Sequence, residues 1–410
     1  MKRIILHSDL NNFYASVECL LHPELKGRYV AVCGNREDRH GIVLAKNQPA
    51  KLCGVKTGEA IWEARAKCPE LVIVKPHFDE YIKFSKAVRE VYSDFTDLVE
   101  PFGMDECWLD VTGSRELFGS GVRIANTIRN RIKRETGLTV SVGVSYNKIF
   151  AKLGSDLKKP DAVTVINNKE EVRSLPVSDL LGAGRAMVRR LEDICIRTIG
   201  DLADCDAEFL KKRFGKHGLM LWQFANGLDN SRVLPSDCRI PAKSIGHGVT
   251  TVSDLKTNDE VRRVMLELTT DISHKLRSGR VFAGGIQIDI RDSKLYNFGF
   301  MKKLDFYTQN THLITEAAFG LFNEKYLWAN PVRAVTVRVT RLVDEAQAAQ
   351  ISFFDRENEK EEKLEAVMEN LRERFGKGTL TYASLLGDLK MPKGNSADII
   401  LPNGFSTCMQ

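Results

Sequence analysis

The sequence predicts a multidomain α+β protein, and three observations lead there. Residues 3–157 and residues 244–340 each read in the order β-α-β-β-α-β. Between them runs a series of short helices opened by Gly182-Ala183-Gly184. At 410 residues and 43 % hydrophobic content, the chain exceeds what one compact core holds, so two to four domains are expected.

The first apolar run, Arg3–Ser8, is expected as a strand ending at Asp9, and a helix from Asn11 to about Cys19 follows, with Asn residues able to cap it. Backbone N–H groups at such a strand-to-helix junction point toward any bound anion. Tyr29–Cys33 and Gly41–Ala45 read as short strands around a polar turn. Small helices at Gln48–Cys53 and Ala60–Lys67 come next, then a strand at Leu71–Val74 and a long helix from about Asp79 to Thr96. In Val99–Val111 the pair Asp105-Glu106 falls in a tight turn between two apolar strands, with Pro101 and Gly103 supplying the break. A helix at Gly121–Thr136, a strand at Thr139–Ser145 and a helix at Asn147–Leu157 complete a ferredoxin-like sheet with a small module inserted between Leu21 and about Leu71.

If the strand at Arg3–Ser8 lies beside the hairpin, Asp9, Asp105 and Glu106 converge. Three carboxylates about 4 Å apart repel by roughly 4 kcal/mol per pair at an effective dielectric near 20, so an ionised cluster needs a cation among them. Oxygen ligands without His or Cys favour Mg²⁺ or Mn²⁺ over zinc. Two such ions about 3.5–4 Å apart suit in-line phosphoryl displacement. Taken alone, Asp-Glu in a turn is more often a solvated surface pair. Lys148, Lys152, Lys158 and Lys159 follow before Pro160. Lys148 and Lys152 share a helix face, which is either a solvated stripe or, beside a metal site, a pair of phosphate contacts.

From Leu180 the pattern Gly182-Ala-Gly184-Arg185, a helix over Ala186–Ile194 and a second beginning near Thr198 reads as a helix-hairpin-helix. Its glycines, Gly182 and Gly184, would let backbone N–H groups approach a phosphate; a Gly-rich turn between two packed helices looks much the same. Helices at Asp206–Phe214 and Gly218–Asn226 end this small domain near Asp229, and residues 230–241 read as a linker. Beyond it, Ser244–Val252, Val281–Arg291, Gly299–Phe306 and Val332–Thr340 are strand-like, with helices near Asn258–Ser278 and His312–Lys325. Alternation puts Arg333 and Arg338 on opposite faces of the last strand, either as contacts to a duplex backbone or as part of an ordinary solvent-facing sheet.

The net charge of +6 becomes informative when divided. Residues 242–343 carry 15 Lys and Arg against 10 Asp and Glu, whereas residues 344–410 carry 8 against 12. A basic body followed by an acidic tail suits polyanion binding with a separate tail for another partner. The tail holds Gln347–Phe354, then a charged helix at Glu357–Phe375, then Gly- and Pro-containing residues expected to be flexible. Nine scattered cysteines without a C-x-x-C pair indicate neither a zinc site nor a disulfide framework. Three apolar residues after Lys2-Arg3 are too few for a signal peptide, and no run has transmembrane length, so a cytoplasmic protein without membrane contact is expected.

At this point the residues resemble the Y-family translesion DNA polymerases. The resemblance covers roughly Lys2–Val343 in linear order. It rests on Asp9-Leu-Asn-Asn-Phe-Tyr-Ala-Ser-Val-Glu18, Gly54-Val-Lys-Thr-Gly58, Asp105-Glu106, Ser141-Val-Gly-Val-Ser-Tyr-Asn-Lys148 with Ala151-Lys152, and Lys159-Pro160. It implies a right-handed polymerase: palm in residues 1–20 and 76–166, fingers in 21–75, thumb in 167–229, a linker at 230–241, a little finger in 242–343 and a tail in 344–410. It further implies that Asp9, Asp105 and Glu106, with the carbonyl of Leu10, hold two Mg²⁺ ions for nucleotide addition on primer-template DNA. Lys159 matches the family's triphosphate lysine, the amides of Phe13 and Tyr14 its phosphate cradle, and the Tyr14 ring its steric gate against ribose. The chain departs from the family in the fingers, where Gln48 and Lys51 replace a common Tyr and Arg; Lys51 then meets a phosphate as a point charge rather than a planar fork. Asn12 likewise stands where some members carry an aromatic hydroxyl.

Gln350-Ile351-Ser352-Phe353-Phe354 resembles the peptide by which bacterial polymerases hold the sliding clamp. Ile351, Phe353 and Phe354 would serve as buried anchors and Gln350 as a rim hydrogen-bonder. The alternative is that the two rings pack on the following helix. The expectation is a monomeric, low-fidelity, template-directed DNA polymerase of damage tolerance that uses deoxynucleoside triphosphates. A catalytically silent DNA-binding scaffold and a palm-fold nucleotide cyclase are the other readings, and primer extension with Mg²⁺ separates all three.

Overall fold

The computed structural model describes residues 3–35, 39, 41–238, 240–349 and 359–392. Gln350, Ile351, Phe353 and Phe354 lie outside the described residues. The described residues divide into two compact units, one within residues 3–34 and 42–240 and the other within residues 35–41 and 241–392.

The first unit begins with β1 (Ile5–Leu10) and α1 (Phe13–Leu21). An inserted module follows: β2 (Val30–Cys33), β3 (Val43–Lys46), α2 (Gln48–Leu52), α3 (Ile61–Lys67) and β4 (Val72–Val74), whose strands form their own sheet in the order β3-β2-β4. Then come α4 (Phe78–Ser93), β5 (Val99–Phe102), β6 (Glu106–Asp110), α5 (Arg115–Phe118), α6 (Gly121–Thr136), β7 (Val140–Ser145), α7 (Lys148–Leu157) and β8 (Val163–Val165). The main sheet runs β5-β6-β1-β7-β8. Its first four strands have the expected β-α-β-β-α-β order; the short α5 and the added strand β8 are absent from the sequence reading.

β1 is buried along its whole length because both faces of the sheet are covered. Leu6 and Leu10 join a core with Tyr81, Val88, Ile124, Ile128 and Ile132 of α4 and α6. Ile5 packs on the other face with Trp108, and with Ala151 of α7. α7 lies so close to β7 that a Cβ on Gly143 would stand 1.9 Å from the Ala151 carbonyl oxygen, so only glycine fits there.

Two local expectations are corrected. Pro101 is not in the turn: it lies within β5, an edge strand, where a missing N–H costs no ladder bond, and the turn is Gly103–Asp105. Asn12, at φ 52°, makes no side-chain cap to α1, which starts two residues later than expected.

The small helical part comprises α8 (Arg185–Glu192), α9 (Ile199–Asp204) and α10 (Ala207–Ala225), the last broken at Gly215 into the two expected helices. The described residues of 230–241 hold no helix or strand, and the first half is fixed. Val233 is buried with Ile5 and Trp108, Leu234 N–H donates to Glu100 Oε2 at 2.9 Å, and Ser236 N–H donates to the Asp97 carbonyl at 3.0 Å.

The second unit contains β9 (Ser244–Leu255), α11 (Asn258–Ser278), β10 (Val281–Asp292), β11 (Asn297–Thr308), α12 (Thr311–Lys325), β12 (Val332–Asp344), α13 (Glu345–Ala349) and α14 (Glu359–Phe375). Its antiparallel sheet runs β11-β10-β12-β9, with α11 and α12 packed on one face through Val264, Leu268, Ile272, Ala318 and Phe322. The described residues 359–392 of the acidic tail are docked rather than free. Arg277 of α11 pairs with Glu365 at 2.8 Å and Glu369 at 2.6 Å on α14, and Val252 N–H donates to the Lys390 carbonyl at 2.8 Å.

Candidate active site

Antiparallel register brings the carboxylates together. β1 and β6 pair Asp9 with Glu106, His7 with Trp108 and Ile5 with Asp110, so these side chains share the face covered by α7. Asp105 ends the hairpin turn, and its carbonyl accepts from Leu10 N–H at 2.9 Å. α7 supplies Lys152, whose Nζ is 2.9 Å from Glu106 Oε1, 3.3 Å from Asp9 Oδ2 and 3.1 Å from Asp156 Oδ2. From the loop after α7, Lys159 Nζ stands 2.6 Å from Asp9 Oδ2 and 2.8 Å from Asp156 Oδ1.

Two of the acids, Asp105 and Asp9, are raised chiefly by burial. Burial and the neighbouring Glu106 and Asp9 charges push Asp105 up to about 7. Burial and Glu106 raise Asp9 as well, against Lys159 and Lys152. Desolvation would lower Lys152, but Glu106, Asp9 and Asp156 outweigh it and hold the ammonium charged far above neutrality.

Among the described residues, no three His, Cys, Asp or Glu side chains already stand in a metal's coordination arrangement, because the lysines occupy the carboxylates. The donor set nevertheless fits a hard divalent cation. Glu106 Oε2 is buried without a hydrogen-bond partner, all three acids are oxygen donors, and burial, together with the charge of the neighbouring carboxylates, disfavours Asp105 and Asp9 as anions.

Tyr14 stacks flat on Tyr81, ring centroids 4.3 Å apart and planes 9° apart, with Phe78 edge-on at 5.9 Å. The Tyr81 hydroxyl donates to the fully buried Glu18, whose two carboxylate oxygens both lie 3.0 Å from His77 Nδ1. α1 begins at Phe13, so the Phe13 and Tyr14 amides fall in a first helical turn, where N–H groups have no helical partner. Lys51 is exposed in the last turn of α2. Gly182, at φ +90°, and Gly184, the N-cap of α8, sit at the expected helix entry. In the other unit Arg338 is exposed, while a register shift between Val332 and Ala334 interrupts the alternation used to place half-buried Arg333.

Lys148 departs from its expected role. Its Nζ is buried 2.7 Å from Glu100 Oε1 and 4.5 Å over the Trp108 ring, so it supports the fold rather than a phosphate. Residues the sequence reading passed over include His7, fully buried with Nδ1 2.8 Å from Ser155 Oγ and Nε2 3.3 Å from Glu106 Oε2. Burial, with help from Lys152, pushes its pKa well below the usual histidine value, so the imidazole is neutral. Asp156, which holds both lysines, was also missed; its sequence signal is an acid four residues after Lys152 and three before Lys159.

Residues 8–156 match the impB/mucB/samB family, residues 242–353 that family's C-terminal domain, and residues 178–229 the thumb domain of DNA polymerase-iota. DNA polymerase IV of Acetivibrio thermocellus is 52% identical over 393 residues, covering 95% of this chain and 98% of that protein. DNA polymerase IV of Pelotomaculum thermopropionicum is 37% identical over 387 residues, covering 93% and 95%. A solved Y-family DNA polymerase chimera shares the fold with a TM-score of 0.74 at 24% identity, over 83% of this chain and 99% of that one. The chain belongs to the Y family of DNA polymerases. Members of this family are DNA-directed DNA polymerases that carry out low-fidelity translesion synthesis and use divalent metal ions. No helix among the described residues is long and apolar enough to cross a membrane.

Proposed function

We propose that this chain extends a DNA primer by template-directed addition of deoxynucleotides, with Asp9, Asp105, Glu106 and the Leu10 carbonyl holding two Mg²⁺ ions, Mn²⁺ being able to substitute. The observation that carries the reading is the pairing of Asp9 with Glu106 across adjacent strands beside an Asp105 raised to about 7. Ions bound there would lower the pKa of the primer 3′-hydroxyl and offset charge on the departing pyrophosphate. Lys159, released from Asp9, binds the triphosphate. The Phe13 and Tyr14 amides cradle it, and Lys51 adds a point charge from the inserted module. The Tyr14 ring, backed by Tyr81, excludes a ribose 2′-hydroxyl.

In this reading residues 1–20 and 76–166 act as palm, 21–75 as fingers, 167–229 as thumb, 230–241 as linker and 242–343 as little finger. The Gly182–Gly184 turn and the Arg333 and Arg338 strand contact the DNA backbone. Gln350, Ile351, Phe353 and Phe354 bind a sliding clamp, and the enzyme acts as a cytoplasmic monomer. The test is single-nucleotide extension on a primer-template. Asp105→Ala and Glu106→Ala each abolish incorporation while duplex affinity stays near wild type, because affinity comes mainly from basic contacts elsewhere. Near-wild-type extension by either variant removes the assignment.

A further inference from the structure

The loop carrying Lys159 is held by a residue that lies beside the carboxylates without being one of them. Asn11 follows β1 directly and is 5% exposed. Its main chain is tied to β7's side of the sheet, Asn11 N–H donating to the Thr139 carbonyl at 2.9 Å. Its side chain spans outward: Nδ2 donates to Ser141 Oγ at 2.9 Å, and Oδ1 accepts from Asp161 N–H at 2.8 Å. A main-chain N–H can only donate and a hydroxyl can accept, so this amide orientation is the one that satisfies both ends.

Asp161 sits at φ 52°, a left-handed conformation that costs a residue with a Cβ, and surrounding contacts must hold it. Three do. Arg129 Nη1 donates to the Asp161 carbonyl at 2.8 Å and Lys133 Nζ lies 2.9 Å from Asp161 Oδ2, but the Lys133 side chain is 59% exposed, and the Arg129 and Asp161 side chains are 27% exposed. Asn11 is the buried contact and the one that reaches the Asp161 amide. Asp9 and Asn11 are two residues apart on one segment, and Lys159 and Asp161 are two apart on the other. The contacts Asp9–Lys159 and Asn11–Asp161 are therefore two rungs of one ladder, with the Asn11 rung independent of whether Lys159 is on Asp9.

We propose that Asn11 is a positioning residue that sets the reach of Lys159 toward the triphosphate of the incoming nucleotide, and so sets nucleotide affinity. The proposal rests on the reading of Lys159 as the triphosphate-binding lysine. When Lys159 leaves Asp9 for a nucleotide, its own tether to β1 is lost, and the Asn11 rung keeps the loop in register.

The test is steady-state insertion of a single deoxynucleotide by the full chain, comparing wild type, Asn11→Ala, Lys159→Ala, the double variant and Asn11→Asp, each with a melting curve. Asn11→Ala raises the nucleotide KM about five- to tenfold, the effect of losing the buried Asn11–Asp161 hydrogen bond, the one of its two side-chain bonds that reaches the Lys159 loop, and changes kcat by less. The double variant is no worse than Lys159→Ala alone. Asn11→Asp keeps an acceptor for the Asp161 N–H, with Ser141 turning to donate, and recovers most of the wild-type KM. An unchanged KM in a folded Asn11→Ala, or additive losses in the double variant, overturns the proposal. If Lys159→Ala itself leaves KM unchanged, the reading of Lys159 fails first and is seen to fail separately. Should Asn11→Ala not fold, Asn11→Ser, which stays polar but cannot span to Asp161, gives the same comparison.

Discussion

Asp105 makes the metal-free protein a pH-sensitive one, in a direction opposite to that of most acids in folded proteins. Its carboxyl rises from 3.8 in the unfolded chain to about 7 in the fold, first through burial and then through the charges of Glu106 and Asp9. Between these values the folded state binds a proton that the unfolded state has released, so stability falls as pH rises. The stabilisation is complete below about pH 4, declines through the window to about pH 7 and is gone above it. A shift of this size corresponds to about 4 kcal/mol across the window. Asp105→Asn cannot ionise, and in EDTA at pH 8 it should exceed wild type by a few kcal/mol while losing most of the slope. A divalent cation should flatten the wild-type slope in its own way, by binding only the folded, ionised cluster. The assay is urea denaturation in EDTA and in Mg²⁺ at pH 5, 6, 7 and 8, followed by tryptophan fluorescence, for which Trp108 on β6 lies next to the cluster. Wild-type stability in EDTA that is flat or rises from pH 5 to 8, or an Asp105→Asn variant with the wild-type slope, would refute the reasoning.

Two further outcomes are expected. Tyr14→Ala should raise ribonucleotide insertion relative to deoxynucleotide insertion at least tenfold, about 1.4 kcal/mol of lost discrimination. It should also lower the melting temperature, since the Tyr81 ring loses its stacking partner; an unchanged sugar preference in a folded variant removes the gate. Phe353→Ala with Phe354→Ala should lose clamp-stimulated processivity and retain distributive extension, the tether's gain being one of effective concentration. Equal loss with and without clamp would assign the two rings to the fold.

What the sequence made legible was whatever is encoded within one element and its neighbour. Asp9 near a strand end, Asp105-Glu106 where a hairpin turn meets its second strand and Lys159 after a helix are local patterns, and the structure brings their side chains to one place. The residues that hold them were not legible, because each acts across the fold: Asn11 on Asp161, His7 on Ser155, Glu18 on Tyr81 and Lys148 on Glu100. α14 was readable as a helix but not as a docked one. Docking is normally read from an apolar stripe, yet this helix turns Glu365 and Glu369 toward Arg277 and leaves Leu364 and Val367 exposed.

The two β-α-β-β-α-β stretches show where linear order stops and composition continues. The same order of elements gives two different sheets: β1 lies inside its sheet between β6 and β7, whereas β9 lies at the edge of the other, beside β12. No rule about connections separates these outcomes, but burial does. A strand with neighbours on both sides and helices over both faces must bury every residue, and β1 is buried from Ile5 through Leu10, its polar His7, Ser8 and Asp9 all finding partners or a site. An edge strand with one open face need bury only alternate residues. In β9, Gly246 and Gly248 face Arg338 and Thr336 on the side away from the core, where a larger side chain would collide with β12. The polar residues of β1 are thus forced inward by its central place, which is why a carboxylate there is expensive to ionise and available for a cation. In β9 the polar residues are buried singly, as Thr251 is on the Arg333 carbonyl, and its aspartate, Asp254, stays part-exposed in a salt bridge to Arg39.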